Sequence, residues 1–518
     1  MSGRTASPSG SVVDRALAAI ERIANRLPEP FFLFGALYLV VAGVSTVLAA
    51  AGVEVRAFGE TKPLRGLFSG PGVEFLLTKL GANFIGFPPM ETVLTIMLGV
   101  GLAERSGLLT ALVRWGFRGA PRWAVPYAVS FVGISASLMA DAAFIIVPPL
   151  AMMVFKAAGR HPVAGLLGGF AAVGAGIALA PVVMTIDVLY AGITNQVSES
   201  MSIGGSVVTP VSNYYFSLAS SLVLTVVAGM LIDRLIEPRV VRAGVPRDET
   251  AATADPTLDD VGLGKPERRG LTRAAASFAL VGVLMISLAL WPNSPLRNAE
   301  GGFLPESPLL DSVTTLLFLT FAVPGIVYGA VVGTIARAAD VPKMMAASLR
   351  ELSGFLITAF MLGQLIALFN WTNLGGWIAV SGADAMRAFS FDGYLALFGF
   401  VVLVSLLNLV IVSGPGLWSI TAAVFVPMFT LIGLEPGLAQ AAFRVGDSAT
   451  QIITPMNPYM IVVLAQLRRY EPQAGMGTLL ARMLPFVVPF WGVWMLVLAV
   501  FYFADLPLGP GMEVHIGR

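Results

Sequence analysis

The sequence predicts an all-α polytopic membrane protein with nine transmembrane helices and two re-entrant hairpins in inverted repeats, and three observations predict it. Of 518 residues, 56% are hydrophobic and 12% charged, whereas about 25% charged is usual for a soluble domain. Two apolar stretches are broken midway, at Ser135 to Asp141 and at Ser413-Gly414-Pro415-Gly416. Each is followed by a proline-led apolar stretch that is itself interrupted, at Pro181 to Asp187 and at Thr454 to Pro458.

A span needs about 20 apolar residues, and the arms of each broken stretch read as too short for that. Non-helical backbone at membrane depth persists only where it is buried in protein or lines a wet cavity. The breaks are therefore the candidate site. Two halves, each a broken hairpin plus a broken helix, form the pattern of a secondary transporter built from internal repeats. A short echo between Ala143-Phe-Ile-Ile-Val-Pro148 and Ala422-Ala-Val-Phe-Val-Pro427 points the same way.

Residues 1–28 lack the apolar core and cleavage site of a signal peptide and read as a cytoplasmic segment. Span one, Pro30 to Ala51, follows Arg15, Arg22 and Arg26, which place the N-terminus in the cytoplasm. Span two, Pro89 to Leu112, returns to Arg114, Arg118 and Arg122, and 29–113 reads as scaffold. Hairpin 1, Ala124 to Phe155, is bracketed by those arginines and by Lys156 and Arg160, so both ends are cytoplasmic. Span three, Pro162 to Thr194, is broken by Pro181, which lacks the donor a helix interior needs. Span four, Tyr214 to Leu235, closes a first repeat over 122–237.

The polar run 238–271 reads as a flexible cytoplasmic loop. Spans five to seven, Ala274 to Trp291, Val313 to Ile335 and Leu352 to Trp371, occupy 272–376. Hairpin 2, Tyr394 to Leu431, has no basic excess at its ends, which places them outside. A broken span eight, Pro436 to Leu467, returns to Arg468 and Arg469 and completes a second repeat over 392–467. The last helix, within 484–505, leaves the C-terminus periplasmic or external. Loop charge thus sends one hairpin in from each side. Counting each hairpin arm as a full span is the alternative topology.

Composition also excludes. A net charge of +1 gives no argument for nucleic acid, and zero Cys removes thiolate metal sites and Cys nucleophiles. There is no phosphate-loop motif and no H-E-x-x-H zinc motif, so energy is expected to come from a gradient or from the substrate. A channel-like pore would show a sustained polar stripe, and an intramembrane enzyme a His or Cys at depth. Neither pattern is present.

An intramembrane carboxylate costs about 2.5 to 3.5 kcal/mol on insertion scales and is a functional candidate by default. Asp141, Asp187 and Asp447 fall at the breaks. Asp187 has no basic neighbour in sequence and suits a proton or a sodium ion. Arg444 and Asp447 share a helix face at a spacing of three, either as a self-neutralising ion pair or as a substrate-facing pair. Ser135, Ser137, Thr185, Ser413, Ser448, Thr450 and Thr454 add hydroxyls at the same depth. Asn408 and Trp418 flank the second tip, where an indole too deep for an interface anchor reads as a stacking surface for an aromatic substrate.

The runs PGLAQAAFRVGDSATQIITPMNPY (436–459), LGVGLAERSGLL (98–109) and AGRHPVAGL (158–166), with Thr185-Ile-Asp187 and Ala191-Gly-Ile193, resemble the AbgT family over about Leu27 to Leu506. The resemblance implies a multi-pass transporter of the bacterial inner membrane for p-aminobenzoyl-glutamate, with sulfonamide efflux in some members. It also implies a bowl-shaped homodimer and no enzymatic cofactor. Carried over, functional positions are Asp187, Asn408, Trp418, Pro436, Arg444, Asp447 and Pro455. With the break residues, substrate binding is expected at Ser137, Asn408, Ser413, Gly414, Pro415, Trp418, Pro436, Arg444 and Pro455. Coupling to a proton or sodium ion is expected at Thr185, Asp187, Asn408 and Asp447, with sodium at Asn408 and Asp447. Where the family's tip typically reads Ser-Ser-Ser-Ala-Lys-Trp, this chain has Ser413-Gly414-Pro415-Gly416-Leu417-Trp418, without the lysine. Ala180 and Gln451 stand where the family tends to have Asn.

Overall fold

The computed structural model describes residues 30–57, 60–117, 120–139, 142–200, 205–247, 263–303, 307–388, 393–454 and 457–517. The chain folds as helices, with one small antiparallel ribbon, β1 (Glu54–Ala57) and β2 (Glu60–Pro63). Its opening helices are α1 (Pro30–Ala50), α2 (Gly70–Ile85), α3 (Pro88–Arg105) and α4 (Leu108–Gly116). Ser69 caps α2, its hydroxyl accepting from Gly72 N at 3.2 Å. The expected single span two is two helices, α3 and α4, bent by 65°. Gly107 between them takes φ +88°, a left-handed conformation that glycine adopts without steric cost.

Hairpin 1 is α5 (Val125–Ser135), a tight turn over Ala136–Met139, and α6 (Ala142–Ala157). Span three is α7 (Pro162–Gly176) and α8 (Thr185–Ser200), separated by the unwound residues 177–184. Pro181 lies within that break, as its missing donor requires. Next come α9 (Tyr214–Leu231), extended through a π-turn into α10 (Glu237–Arg242), then α11 (Lys265–Leu290) and α12 (Val313–Val332). Both α10 and the first turns of α11 fall inside the segment read from sequence as a flexible loop. Of that segment, 248–262 lies outside the described residues.

Besides α2, the helices α13 (Asp340–Glu351) and α15 (Leu374–Ala388) escape the sequence reading, the latter following α14 (Ser353–Thr372) after a 71° bend. Asn373 makes that bend at φ +59°. Hairpin 2 is α16 (Gly393–Asn408) and α17 (Gly414–Leu431), and the second broken helix is α18 (Pro436–Thr450) and α19 (Tyr459–Leu467). The last helix, α20, runs Met476–Phe503. The order hairpin then broken helix thus occurs twice.

Among the described residues five helices are long and apolar enough to cross a membrane alone, or up to seven if each bent pair is one span. One of the five is α17, at 18 residues, so arm length does not separate hairpin from span there. Its burial does, since 72% of it lies inside protein. The core is made by the first halves of the broken helices: every residue of α7 and of α18 is buried. Glycine lets α7 sit tightly on α6, because a Cβ on Gly165 would lie 2.5 Å from the Ala151 carbonyl oxygen. The chain's end closes over the joint between α17 and α18, with Glu435 N donating to Val514 O and Ile516 N to Gly433 O, both at 3.0 Å.

Candidate functional site

The four breaks meet at one cavity of about 460 Å³. Hairpin 1 contributes Ser137 and Leu138, and the α7–α8 break contributes Met184 and Thr185. Hairpin 2 supplies Val412 to Pro415, and the α18–α19 break supplies Asp447, Gln451 and Asn457. Phe144 and Tyr459 also line it, stacked with ring centroids 5.2 Å apart and planes 1° from parallel. No Lys or Arg is among the described side chains on its wall. Of the expected site residues, Ser137, Thr185, Ser413, Gly414, Pro415 and Asp447 are therefore brought together.

The second tip differs from its sequence reading in one respect: Gly414-Pro415-Gly416 is not the unwound part. The unwound residues are 409–413, and α17 restarts at Gly414. Ser413 is its N-cap, with Oγ accepting from Gly416 N at 3.3 Å. Pro415 sits in the first turn, where its missing N–H is no loss. The helix start opens on the cavity, and such an end favours negative charge.

Asp187 and Arg444 do not do what sequence proximity suggested. Arg444 Nη1 lies 2.6 Å from Asp187 Oδ1, so Asp187 is paired after all and Arg444 does not neutralise its own neighbour. The same nitrogen donates to Ala178 O at 2.9 Å, and Nη2 to Gln440 Oε1 at 3.2 Å. Asp187 Oδ2 accepts from Met184 N at 2.7 Å, capping the start of α8. The guanidinium also sits over the Tyr190 ring at 5.3 Å. This pair bolts α18 across the α7–α8 break, and with Arg444 1% exposed it is a fixture behind the cavity wall. It offers no free cation to a ligand.

Asp447 is what remains. It is 2% exposed, and its Oδ1 has no hydrogen-bond partner among the described residues. Its Oδ2 lies beside Gly414, where a Cβ would stand 3.1 Å from it and 2.5 Å from Tyr190 Oη. Only a glycine lets the second tip close so tightly on these two groups. An ionised carboxylate buried without a partner is costly, and it is relieved by a proton or a cation.

Asn408 is fully buried. Its Nδ2 donates to the Asp447 carbonyl and, at 2.9 Å, to Thr450 Oγ1, while its Oδ1 has no partner. It is not on the cavity wall but holds the end of α18 against α16. Trp418 is a clear departure. Its indole is fully buried, Nε1 donating to Tyr190 O at 3.3 Å and Thr194 Oγ1 at 3.2 Å, with the ring 4.8 Å from that of Phe443. It pins α17 to α8, and the aromatic surface facing the cavity is Phe144 with Tyr459. Pro436 is the first residue of α18, at the end remote from Asp447, and serves to start that helix. Pro455 and Asp141 lie outside the described residues.

Sequence reasoning missed Phe144, Tyr459 and Tyr190. Tyr459 opens α19 just past a break, which is a readable signal. Phe144 and Tyr190 sit in ordinary apolar helix and carry none. Of the positions where the chain departs from the resembling family, Gln451 lines the cavity with an unpartnered Oε1, whereas Ala180 is buried off it.

The family model described as the AbgT putative transporter family matches residues 15–516. The p-aminobenzoyl-glutamate transport protein of Escherichia coli K12 is 36% identical over 509 residues, 98% of each chain. Solved structures share the fold, two transporters among them. One is the Alcanivorax borkumensis YdaH transporter, at TM-score 0.86 and 34% identity, covering 93% of this chain and 100% of that one. The other is Neisseria gonorrhoeae MtrF, described as illuminating a class of antimetabolite efflux pumps, at TM-score 0.88 and 33% identity, covering 97% and 100%.

Proposed function

The chain belongs to the AbgT putative transporter family, and from that premise we propose that it is an ion-gradient-driven secondary transporter of aromatic acids such as p-aminobenzoyl-glutamate. It is a multi-pass membrane transporter of small molecules and not an enzyme. The observation that carries the finer reading is the buried carboxylate of Asp447, whose Oδ1 has no hydrogen-bond partner among the described residues, in a cavity that also holds a stacked aromatic pair. The substrate ring stacks on Tyr459, which Phe144 backs from behind, in the offset geometry aromatic rings prefer. Its carboxylate lies at the start of α17, where Ser413 to Pro415 open on the cavity. Aryl sulfonamides share the ring and form a second substrate class on this reading.

Coupling follows from charge. While Asp447 is ionised and unaccompanied, it repels an anionic substrate. A proton or sodium ion neutralises it and admits the substrate. Among the described residues Asp447 Oδ1, Asn408 Oδ1 and Gln451 Oε1 are buried oxygens without a donor, the chemistry a hard monovalent cation takes up. Unwound backbone beside them is where such transporters hold their coupling ion. Asp187 then has a structural task, holding Arg444.

The loop charges support a cytoplasmic N-terminus and a periplasmic C-terminus in the bacterial inner membrane, with two hairpins entering from opposite sides in inverted repeats. The homodimer rests on the family resemblance. The test is uptake of labelled p-aminobenzoyl-glutamate into proteoliposomes under an imposed sodium or pH gradient. Saturable uptake that follows one gradient supports the reading and names the ion. Uptake proportional to concentration, indifferent to both gradients, would point to a channel-like pore.

A further inference from the structure

The tip of hairpin 1 has a second face. An apolar pocket of about 410 Å³ lies between α4, this tip, the α7–α8 break, α11 and α12. Leu138 of the tip lines both this pocket and the central cavity. Val182 and Val183 line it too, immediately ahead of Thr185 on the cavity side. Among the described lining residues, otherwise Leu, Val, Ala, Phe and Pro, Thr320 supplies the single hydroxyl.

On α11 the lining residues Leu271, Ala275 and Phe278 share one face at helical spacing. This helix is also the most outward-facing of the long apolar ones, with 6% of its apolar window buried. A pocket that opens there meets acyl chains and not water. Left empty, it would forfeit the dispersion contacts of its lining.

The charges at the same end of α11 say what kind of lipid fits. Arg268 precedes Leu271 by one turn on the same face, and Lys265, Arg269 and Arg273 are exposed around it. The one acid among them, Glu267, is held by Arg114 at 2.8 Å. Arg114 in turn follows the pocket-lining Leu112 on α4. Arg268 Nε donates to Leu263 O at 3.1 Å, which anchors its stem beside the pocket mouth. An apolar slot beneath a cluster of cations complements a lipid with a negative headgroup.

We propose that an anionic phospholipid binds here, one acyl chain in the pocket and its phosphate at the basic end of α11, bracing the tip of hairpin 1 from behind. The lipid then touches two of the four breaks that shape the transport cavity. Transport responds to the anionic lipid content of the membrane through this contact.

Native mass spectrometry of the full-length protein, given phosphatidylglycerol or phosphatidylcholine of equal chain length, tests it. The parent retains phosphatidylglycerol preferentially. Each of Arg268→Gln and Arg269→Gln weakens that retention about fivefold, the equivalent of one surface charge. Ala275→Trp fills the pocket and loses both lipids. The arginine variants change exposed side chains, so they read the proposal even where Ala275→Trp fails to fold. Equal retention of the two lipids by the parent, or unchanged retention in both arginine variants, overturns it. So does a disulfide between two copies of Phe278→Cys in vesicles, which would assign the pocket to a contact between chains.

Discussion

Replacing Asp447 by Asn removes one charge and keeps the shape of the side chain, so it isolates the electrostatic half of the coupling scheme. The substitution leaves the backbone carbonyl that Asn408 bonds in place, and Oδ1 has no partner to lose, so the fold survives. The cavity of about 460 Å³ is roughly 10 Å across if taken as a sphere, which puts a bound carboxylate about 5 Å from Asp447. At an effective dielectric near 20, two like charges at that distance repel by about 3 kcal/mol. That corresponds to roughly 150-fold in affinity. Asp447→Asn therefore binds p-aminobenzoyl-glutamate in sodium-free, neutral buffer about two orders of magnitude more tightly than the parent does. It approaches the parent's affinity at saturating coupling ion, and gradient-driven accumulation disappears. Calorimetric titration with and without sodium, at two pH values, reads both quantities. If the variant still gained affinity on adding sodium or acid, or bound no better than the parent without them, the repulsion argument would be wrong.

Asp187→Asn acts on stability instead: it leaves Arg444 buried without its counter-charge, which costs about 3 to 5 kcal/mol and appears as a lowered melting temperature, partly restored by the paired Arg444→Leu change. Trp418→Ala opens a hole between α17 and α8 and costs about 3 to 5 kcal/mol of stability, while the substrate affinity of the folded fraction stays within twofold of the parent's. Gly414→Ala sets a methyl 2.5 Å from Tyr190 Oη, and overpacking of this kind costs about 1 to 3 kcal/mol. A Tyr190→Phe background relieves it, as paired thermal melts will show.

The architecture was legible because its signals are local. Pro181 announces unwound backbone within apolar sequence, and the run at Ser413 to Gly416 announces a break whose unwound part lies just before it, at 409–413. Gly107 and Asn373 were not legible as corners, since nothing in an apolar stretch says whether such a residue sits at positive φ. The short helices α2, α13 and α15 lack the length and apolar density that mark a span. At the site, the partners of the charged residues are what the sequence does not show. Arg444 and Asp447 are three apart, yet Arg444 reaches the other half of the molecule to find Asp187. The choice between two acids is made by tertiary distance, which spacing along one helix does not encode. Trp418 was assigned to the ligand because it flanks the tip. Its neighbours Tyr190, Thr194 and Phe443 lie on other elements, and together they turn the indole away from the cavity.

The central claim is that the substrate occupies the cavity where the four breaks meet, and the absence of cysteine from the chain allows a direct measurement. Ser137 lines that cavity, and its hydroxyl donates to Ile134 O of its own segment, so Ser137→Cys is a mild change that creates a single thiol. Maleimide labelling of this variant should be slowed by p-aminobenzoyl-glutamate, with a half-effect concentration equal to the KM of transport, while labelling of Thr61→Cys on β2 is unaffected. Saturable transport accompanied by unchanged labelling at position 137 would place the substrate elsewhere and contradict the account.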